Sequence, residues 1–212
     1  MSRAARATAD LRVPVTPPTD LDAMLKRLHL PTVRRLYPEL ARRAEGESMT
    51  YQTFLELLIA EEIAHRAETR LRRAVRKAQF PFLRTIDDFT FTFQSALRRQ
   101  MLGTYLGLEL VTEGRNAIFS GPSGTGKTHL AIAIAYRALQ HGYEVRFVSA
   151  DLLIGELSHA VQLGTLDATL APYLHPHVLV LDEIGYLSHA ADAANVLYRL
   201  VNDRYLRGKP IL

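Results

Sequence analysis

Eight residues, Gly121-Pro122-Ser123-Gly124-Thr125-Gly126-Lys127-Thr128, constrain this chain more than any other stretch. They fit G-x-x-x-x-G-K-[ST], a pattern whose backbone N–H groups wrap the phosphates of a nucleoside triphosphate. In that reading Gly121, Gly124 and Gly126 supply positive φ angles and let the backbone approach an anion closely. Pro122, Ser123 and Thr125 complete the loop. Lys127 would reach the β- and γ-phosphates, and the Thr128 hydroxyl would ligate Mg²⁺. The flanks agree. Asn116 to Ser120 reads as a buried strand, and Thr128 to Gln140 as an apolar helix stopped by Gly142. Strand, glycine loop and helix N-terminus together form an anion site. The plainer alternative is an ordinary glycine turn before a helix.

A second signal lies downstream. Val178-Leu179-Val180-Leu181-Asp182-Glu183 is an apolar strand that ends in two acids. Such a strand places its carboxylates at the carboxyl edge of an open α/β sheet, where ligands bind. Asp182 is expected to hold Mg²⁺ beside Thr128, and Glu183 to orient or deprotonate the water that attacks the γ-phosphate. Between the two signals, Glu144 to Ser149 reads as a strand. Asp151 is a candidate cap for a helix over Leu152 to Gln162, and Leu166 to Leu174 makes further helical turns. Alternating strands and helices predict a parallel sheet. His175, His177 and His189 lie near the last strand, but their spacing matches no zinc pattern.

The front of the chain differs in kind. Residues 1–19, with Pro14, Pro17 and Pro18, are expected to be a disordered arm; Arg3, Arg6 and Arg12 there are either solvated or in contact with a polyanion. Residues 20–80 read as a small helical domain: one helix from Asp20, a second from Pro31 to Ala44 with Pro38 inside it, and a third capped by Thr50 that ends before Pro81. The third helix has an apolar face of Phe54, Leu57, Leu58, Ala60, Ala64, Ala67, Leu71, Ala74 and Ala78. Beside it runs a basic stripe of Arg66, Arg70, Arg73 and Lys77, kept on one face by its spacing. The stripe is either a solvated face or a track for a phosphate backbone. Residues 81–212 are assigned to a nucleotide-binding domain. Near its start, Phe89, Phe91 and Phe93 alternate with threonines; such aromatics more often pack in a core than beside a purine base.

Composition sets outer limits. Formal net charge is +4, yet residues 1–100 carry eighteen Lys and Arg against twelve Asp and Glu, so the basic excess sits in the front half. No cysteine is present, which removes disulfides and thiolate metal sites. No apolar run reaches the ~18 residues of a membrane span, and the first eighteen residues lack a signal-peptide core. A cytoplasmic location is expected, without membrane partners.

With both motifs in place, the chain resembles the AAA+ ATPases, and within them the IstB-like ATP-binding proteins, transposition helpers similar to the DnaC helicase loaders. GPSGTGKTHLA at 121–131 and VLVLDEIGYL at 178–187 carry the likeness. The segments at 91–100 and 195–205, and TFLELLIAEEIAHR at 53–66, extend it. The resemblance implies an α/β P-loop fold with strand order 5-1-4-3-2, preceded by a helical domain. It implies ATP and Mg²⁺ as cofactors and ATP hydrolysis as the activity. It also implies duplex DNA and a cognate transposase as partners, with homo-oligomers in full-length relatives. The alternatives are a helicase-loader ATPase and a hydrolysis-deficient truncated remnant. Against the family pattern, this chain stops as the fourth strand starts, before a sensor residue, an arginine finger and a fifth strand. On that pattern the C-terminal strands are missing, the two motif-bearing strands are expected to lose their shared neighbour, and hydrolysis by this chain alone is expected to be impaired. Neither Arg204 nor Arg207 is assigned as an arginine finger.

Overall fold

The computed structural model describes residues 20–91, 102–107, 109–184 and 191–212. The expectations for the arm at 1–19, for Phe93, for most of the segment at 91–100 and for His189 lie outside those residues. The chain divides into two compact units, one reaching Ala67 and the other running from Glu68 to Leu212. The division falls inside the third helix.

In the first unit, α1 (Leu21–Arg27) is capped by Asp20, whose carboxylate accepts from the Ala23 N–H at 3.1 Å. Next comes α2 (Pro31–Gly46), which begins on proline, a residue with no N–H to leave unsatisfied. Then α3 (Tyr51–Ala78) starts after Thr50, whose hydroxyl accepts from the Thr53 N–H at 3.1 Å. Leu25, Val33 and Leu58 form the small core, with Leu36, Leu40 and Phe54 against it. The apolar face expected along α3 is only partly buried. Leu57, Ala60, Ala64 and Ala67 are exposed, because α1 and α2 cover little beyond Phe54 and Leu58.

A buried carboxylate organises this unit. Glu62, only 3% exposed, accepts from the N–H groups of Thr32 (2.9 Å) and Val33 (3.2 Å). Leu30, the residue before α2, provides no side-chain cap. Glu62 therefore caps α2 from another helix and places negative charge at its positive end. Burial alone would raise the Glu62 pKa, but Arg66 and the two amide donors outweigh it and hold the carboxyl below its usual range.

The second unit is a parallel sheet with helices on both faces. Short helices α4 (Gly103–Leu106) and α5 (Glu109–Thr112) precede the glycine loop, and α6 (Lys127–Gln140) follows it. Next come β1 (Val145–Ser149), α7 (Ala150–Gln162), α8 (Leu166–Leu174), β2 (Val178–Asp182) and α9 (Ala191–Leu206). The cap of α7 is Ser149, which accepts from the Leu152 N–H at 3.4 Å; Asp151 sits within the first turn instead. β1 and β2 pair in parallel from Val145↔Val178 to Ser149↔Asp182. Alternation along β2 sorts its side chains. Val178 and Val180 join the cluster around α6, whereas Leu179 and Leu181 join the one formed with α7, α8 and α9. A strand buried on both faces must be apolar throughout, and β2 is until Asp182.

Residues 210–212 lie on the other edge of β2. Leu179 donates to the Pro210 carbonyl (3.1 Å), Leu212 to the Leu179 carbonyl (2.9 Å) and Leu181 to the Leu212 carbonyl (2.8 Å). On its far side, Ile211 accepts from the Ala117 N–H (3.1 Å) and donates to Asn116 Oδ1 (2.8 Å). The order is thus 116–117, 210–212, β2, β1. The expected loss of a shared neighbour is therefore corrected: residues 210–212 bond to both sides, Pro210 and Leu212 to β2 and Ile211 to Asn116 and Ala117. Asn116 to Ser120 departs from its reading as a buried strand. It forms no regular ladder, and Ile118 is 92% exposed, since pairing reaches only Asn116 and Ala117.

Arg204 holds this edge together. Fully buried on α9, it donates to the carbonyls of Tyr173 (2.7 Å), Pro176 (3.1 Å), His177 (3.0 Å) and Pro210 (2.8 Å). One guanidinium thereby joins the end of α8, the approach to β2 and the 210–212 segment. Burial, helped by the Arg207 charge, lowers its pKa to about 10, so it stays charged at neutral pH.

Candidate functional site

The glycine loop turns between residue 120 and α6 because Gly124 (φ 78°) and Gly126 (φ 85°) adopt left-handed backbone that a side chain would strain. Gly121, at φ 157°, also lies in positive-φ backbone that side chains rarely adopt. Thr125 donates its hydroxyl to the Pro122 carbonyl at 2.9 Å, bracing the turn. The exposed ring of Pro122 and the exposed Ser123 form its outer rim. Lys127 folds back over the loop, and its Nζ donates to the carbonyls of Gly121 (2.9 Å) and Pro122 (2.7 Å). Those two acceptors hold the ammonium against the loop. Gly126 precedes the first turn of α6 without a side-chain cap, so the amide dipoles there face the loop.

The acidic strand end meets this turn. Thr128 donates its hydroxyl to Asp182 Oδ2 at 2.8 Å, and the other carboxylate oxygen accepts from the Glu183 N–H at 3.1 Å. A hydroxyl and a carboxylate at that distance form a hard-oxygen pair suited to Mg²⁺.

Glu183 is exposed and has a φ of 61°. The other described non-glycine residues with positive φ, His29, Ser48 and Gln79, follow the ends of α1, α2 and α3, where left-handed caps are ordinary. Glu183 follows a strand. Holding a glutamate there costs about 1–2 kcal/mol, and such strain concentrates at functional positions.

The basic stripe of α3 is divided in its engagements. Arg66 bonds Glu62 at 2.7 Å and donates to the His29 carbonyl, and Lys77 pairs with Glu144 at 2.5 Å. Arg70 and Arg73 project into solvent. His175 approaches Glu144 at 3.0 Å, and His177 Nδ1 accepts the Glu144 N–H at 3.1 Å. A groove of about 440 Å³ between α8 and α9 is lined by Asp167, Arg199, Arg207 and Lys209. Within it Arg199 pairs with Asp167, and Lys209 donates to the carbonyls of Leu174 and His175.

Sequence patterns did not reveal the roles of Glu62 and Arg204. Both lie in segments that extend the family resemblance, 53–66 and 195–205, but their roles are recognisable only by the distant main-chain groups they serve. Phe89 did stand out in the sequence, and it lies against Gly126 and His129.

The family described as IstB-like ATP binding protein matches residues 23–212. A relative from Geobacillus stearothermophilus, named as an ATP-binding protein of insertion sequence IS5376, is 33% identical over 186 residues, covering 88% of this chain and 74% of its own length. Its counterpart in IS21 of Pseudomonas aeruginosa is 34% identical over 193 residues, covering 91% and 73%. Among solved structures, AMPPCP-bound DnaA from Aquifex aeolicus superposes with a TM-score of 0.52 at 29% identity. A DnaA bound to AMPPCP and single-stranded DNA gives 0.50 at 28%. Each likeness covers 60% of this chain, which spans 40% of the DnaA chains. The fold is that of a P-loop NTPase of the AAA+ class.

Proposed function

This chain belongs to the IstB-like ATP-binding protein family, and on that premise we propose that it is a cytoplasmic helper of DNA transposition. In this reading it binds ATP and Mg²⁺, assembles with copies of itself on duplex DNA in an ATP-dependent way, and recruits a transposase. The observation that carries the nucleotide half is the hydrogen bond between Thr128 and Asp182, which joins the phosphate loop to the acidic strand end.

The triphosphate lies across residues 121–128, where the loop amides and the first turn of α6 meet its charge. Lys127 exchanges its bonds to the Gly121 and Pro122 carbonyls for phosphate oxygens. Thr128 and Asp182 would hold Mg²⁺, which would supply charge neutralisation at the phosphates. Glu183 orients the attacking water and accepts its proton. Its N–H donates to Asp182 Oδ1, so the two acids keep a set relation.

Arg70 and Arg73 are the DNA-contact candidates best supported by exposure; Arg66 and Lys77 would first have to leave Glu62 and Glu144. Each phosphate contact contributes about 0.9 to the slope of log affinity against log salt. The test is binding to duplex DNA of arbitrary sequence with and without ATP. Tight ATP-dependent binding that loses about two units of salt slope in Arg70→Ala/Arg73→Ala supports the reading. Salt-independent or ATP-independent binding contradicts it. The likeness to a replication initiator favours a second reading, a DnaC-like helicase loader. A pull-down separates the two: capture of a transposase supports the first, and capture of a replicative helicase the second.

A further inference from the structure

Gly126 has a neighbour that the phosphate chemistry does not use. A Cβ added at Gly126 would lie 2.7 Å from Phe89 Cε2, so the phenyl ring presses directly on the loop residue that precedes α6. Phe89 meets the His129 ring edge to face, with centroids 5.2 Å apart, and Phe91 at 4.8 Å. It also packs against the core cluster beside α6.

A closed turn delivers Phe89 to that position. Thr85 donates both its N–H (2.9 Å) and its hydroxyl (2.8 Å) to Asp88 Oδ2. The N–H groups of Asp88 and Phe89 return to the carbonyls of Thr85 and Ile86, each at 3.3 Å. A side-chain bond ties this turn to α6: His129 Nε2 lies 2.9 Å from the Thr85 carbonyl. A carbonyl only accepts, so Nε2 carries the hydrogen. The first turn of α6 is thus fastened at consecutive residues, Thr128 to Asp182 and His129 to Thr85.

We propose that His129 is a positioning residue for the phosphate loop. By holding the turn at 85–89, it keeps Phe89 packed on Gly126 and the loop in its phosphate-ready shape. The reason is entropic. A loop with three glycines has many conformations to lose on binding an anion, and fixing it beforehand removes that cost from the binding step. Phe89 acts on the loop backbone rather than on a nucleobase, so its influence reaches any ligand that carries the triphosphate. The inference rests on the ATP-binding reading.

The test measures dissociation constants of ATP, GTP and inorganic tripolyphosphate for the full chain. The variants are His129→Ala, His129→Gln, Phe89→Ala and the double alanine, each with its melting temperature. Loss of one hydrogen bond and its packing weakens all three ligands by the same factor, about five- to tenfold. The double variant is no weaker than either single one, because both act through one contact. His129→Gln, whose amide can reach the same carbonyl, recovers most of the affinity. Wild-type affinity in a folded His129→Ala, a loss confined to ATP, or additive losses in the double variant would each overturn the proposal. Should His129→Ala not fold, a folded His129→Gln that still binds weakly overturns it as well. Failure of the wild-type chain to bind any of the three ligands instead removes the ATP-binding reading on which the proposal stands.

Discussion

Thr128 and Asp182 meet across 2.8 Å, joining the first turn of α6 to the last residue of β2. Two motifs that are far apart in the chain become one site through that bond. The adjacent Glu183 inherits its position from the same carboxylate, through its own N–H.

The separate roles proposed for these acids lead to a first expectation. Glu183→Gln keeps the strand end intact and should leave ATP affinity within about twofold. Any turnover should fall by about a hundredfold or more, the usual contribution of a positioned base. Single-turnover hydrolysis measured beside equilibrium binding separates the two effects. Wild-type turnover in this variant would show that another group activates the water.

Arg204 leads to a second expectation, on stability. Its guanidinium serves four carbonyls from three parts of the second unit. Arg204→Ala should destabilise the chain by about 3 kcal/mol or more, since buried acceptors lose their donors together. Arg204→Lys should recover less than half of that, because an ammonium cannot spread across the same four acceptors. Urea unfolding reads both, and a change below about 0.5 kcal/mol in Arg204→Ala would show that the network contributes little.

Glu62 leads to a third, with a defined sign. Its folded-state pKa is depressed, so its contribution is fully present above the ordinary glutamate range and is lost as pH falls through the folded value. Glu62→Gln should cost about 1–3 kcal/mol at neutral pH, and the gap from wild type should close below about pH 4. Hydrogen exchange at the Thr32 and Val33 amides follows this locally. Equal protection in both proteins at pH 7 would mean that the carboxylate does not cap α2.

Much of the site was legible because its signals are local. Glycine spacing, Lys127 and the apolar run into Asp182 each sit within a few consecutive residues, and periodicity located α2, α3, α6 and both strands. What escaped depends on partners distant in sequence. Burial of residues 116–120 is set by what pairs beside them, and Ile211 reaches only the first two. The exposed middle of α3 reflects how little α1 and α2 can cover, which its own apolar spacing does not encode. Arg204 looks like a surface base in sequence, because the carbonyls that consume it are identifiable only once α8, β2 and residues 210–212 are in place.

The central claim, that residues 121–128 with Asp182 form a working ATP site, is tested most directly by titrating ATP into the wild-type chain and into Lys127→Ala, with and without Mg²⁺. Saturable binding that strengthens with Mg²⁺ in the wild type, and an affinity lower by about a hundredfold or more in Lys127→Ala, is the predicted result. Equal affinity in the two proteins, or no binding by the folded wild-type chain, would contradict it.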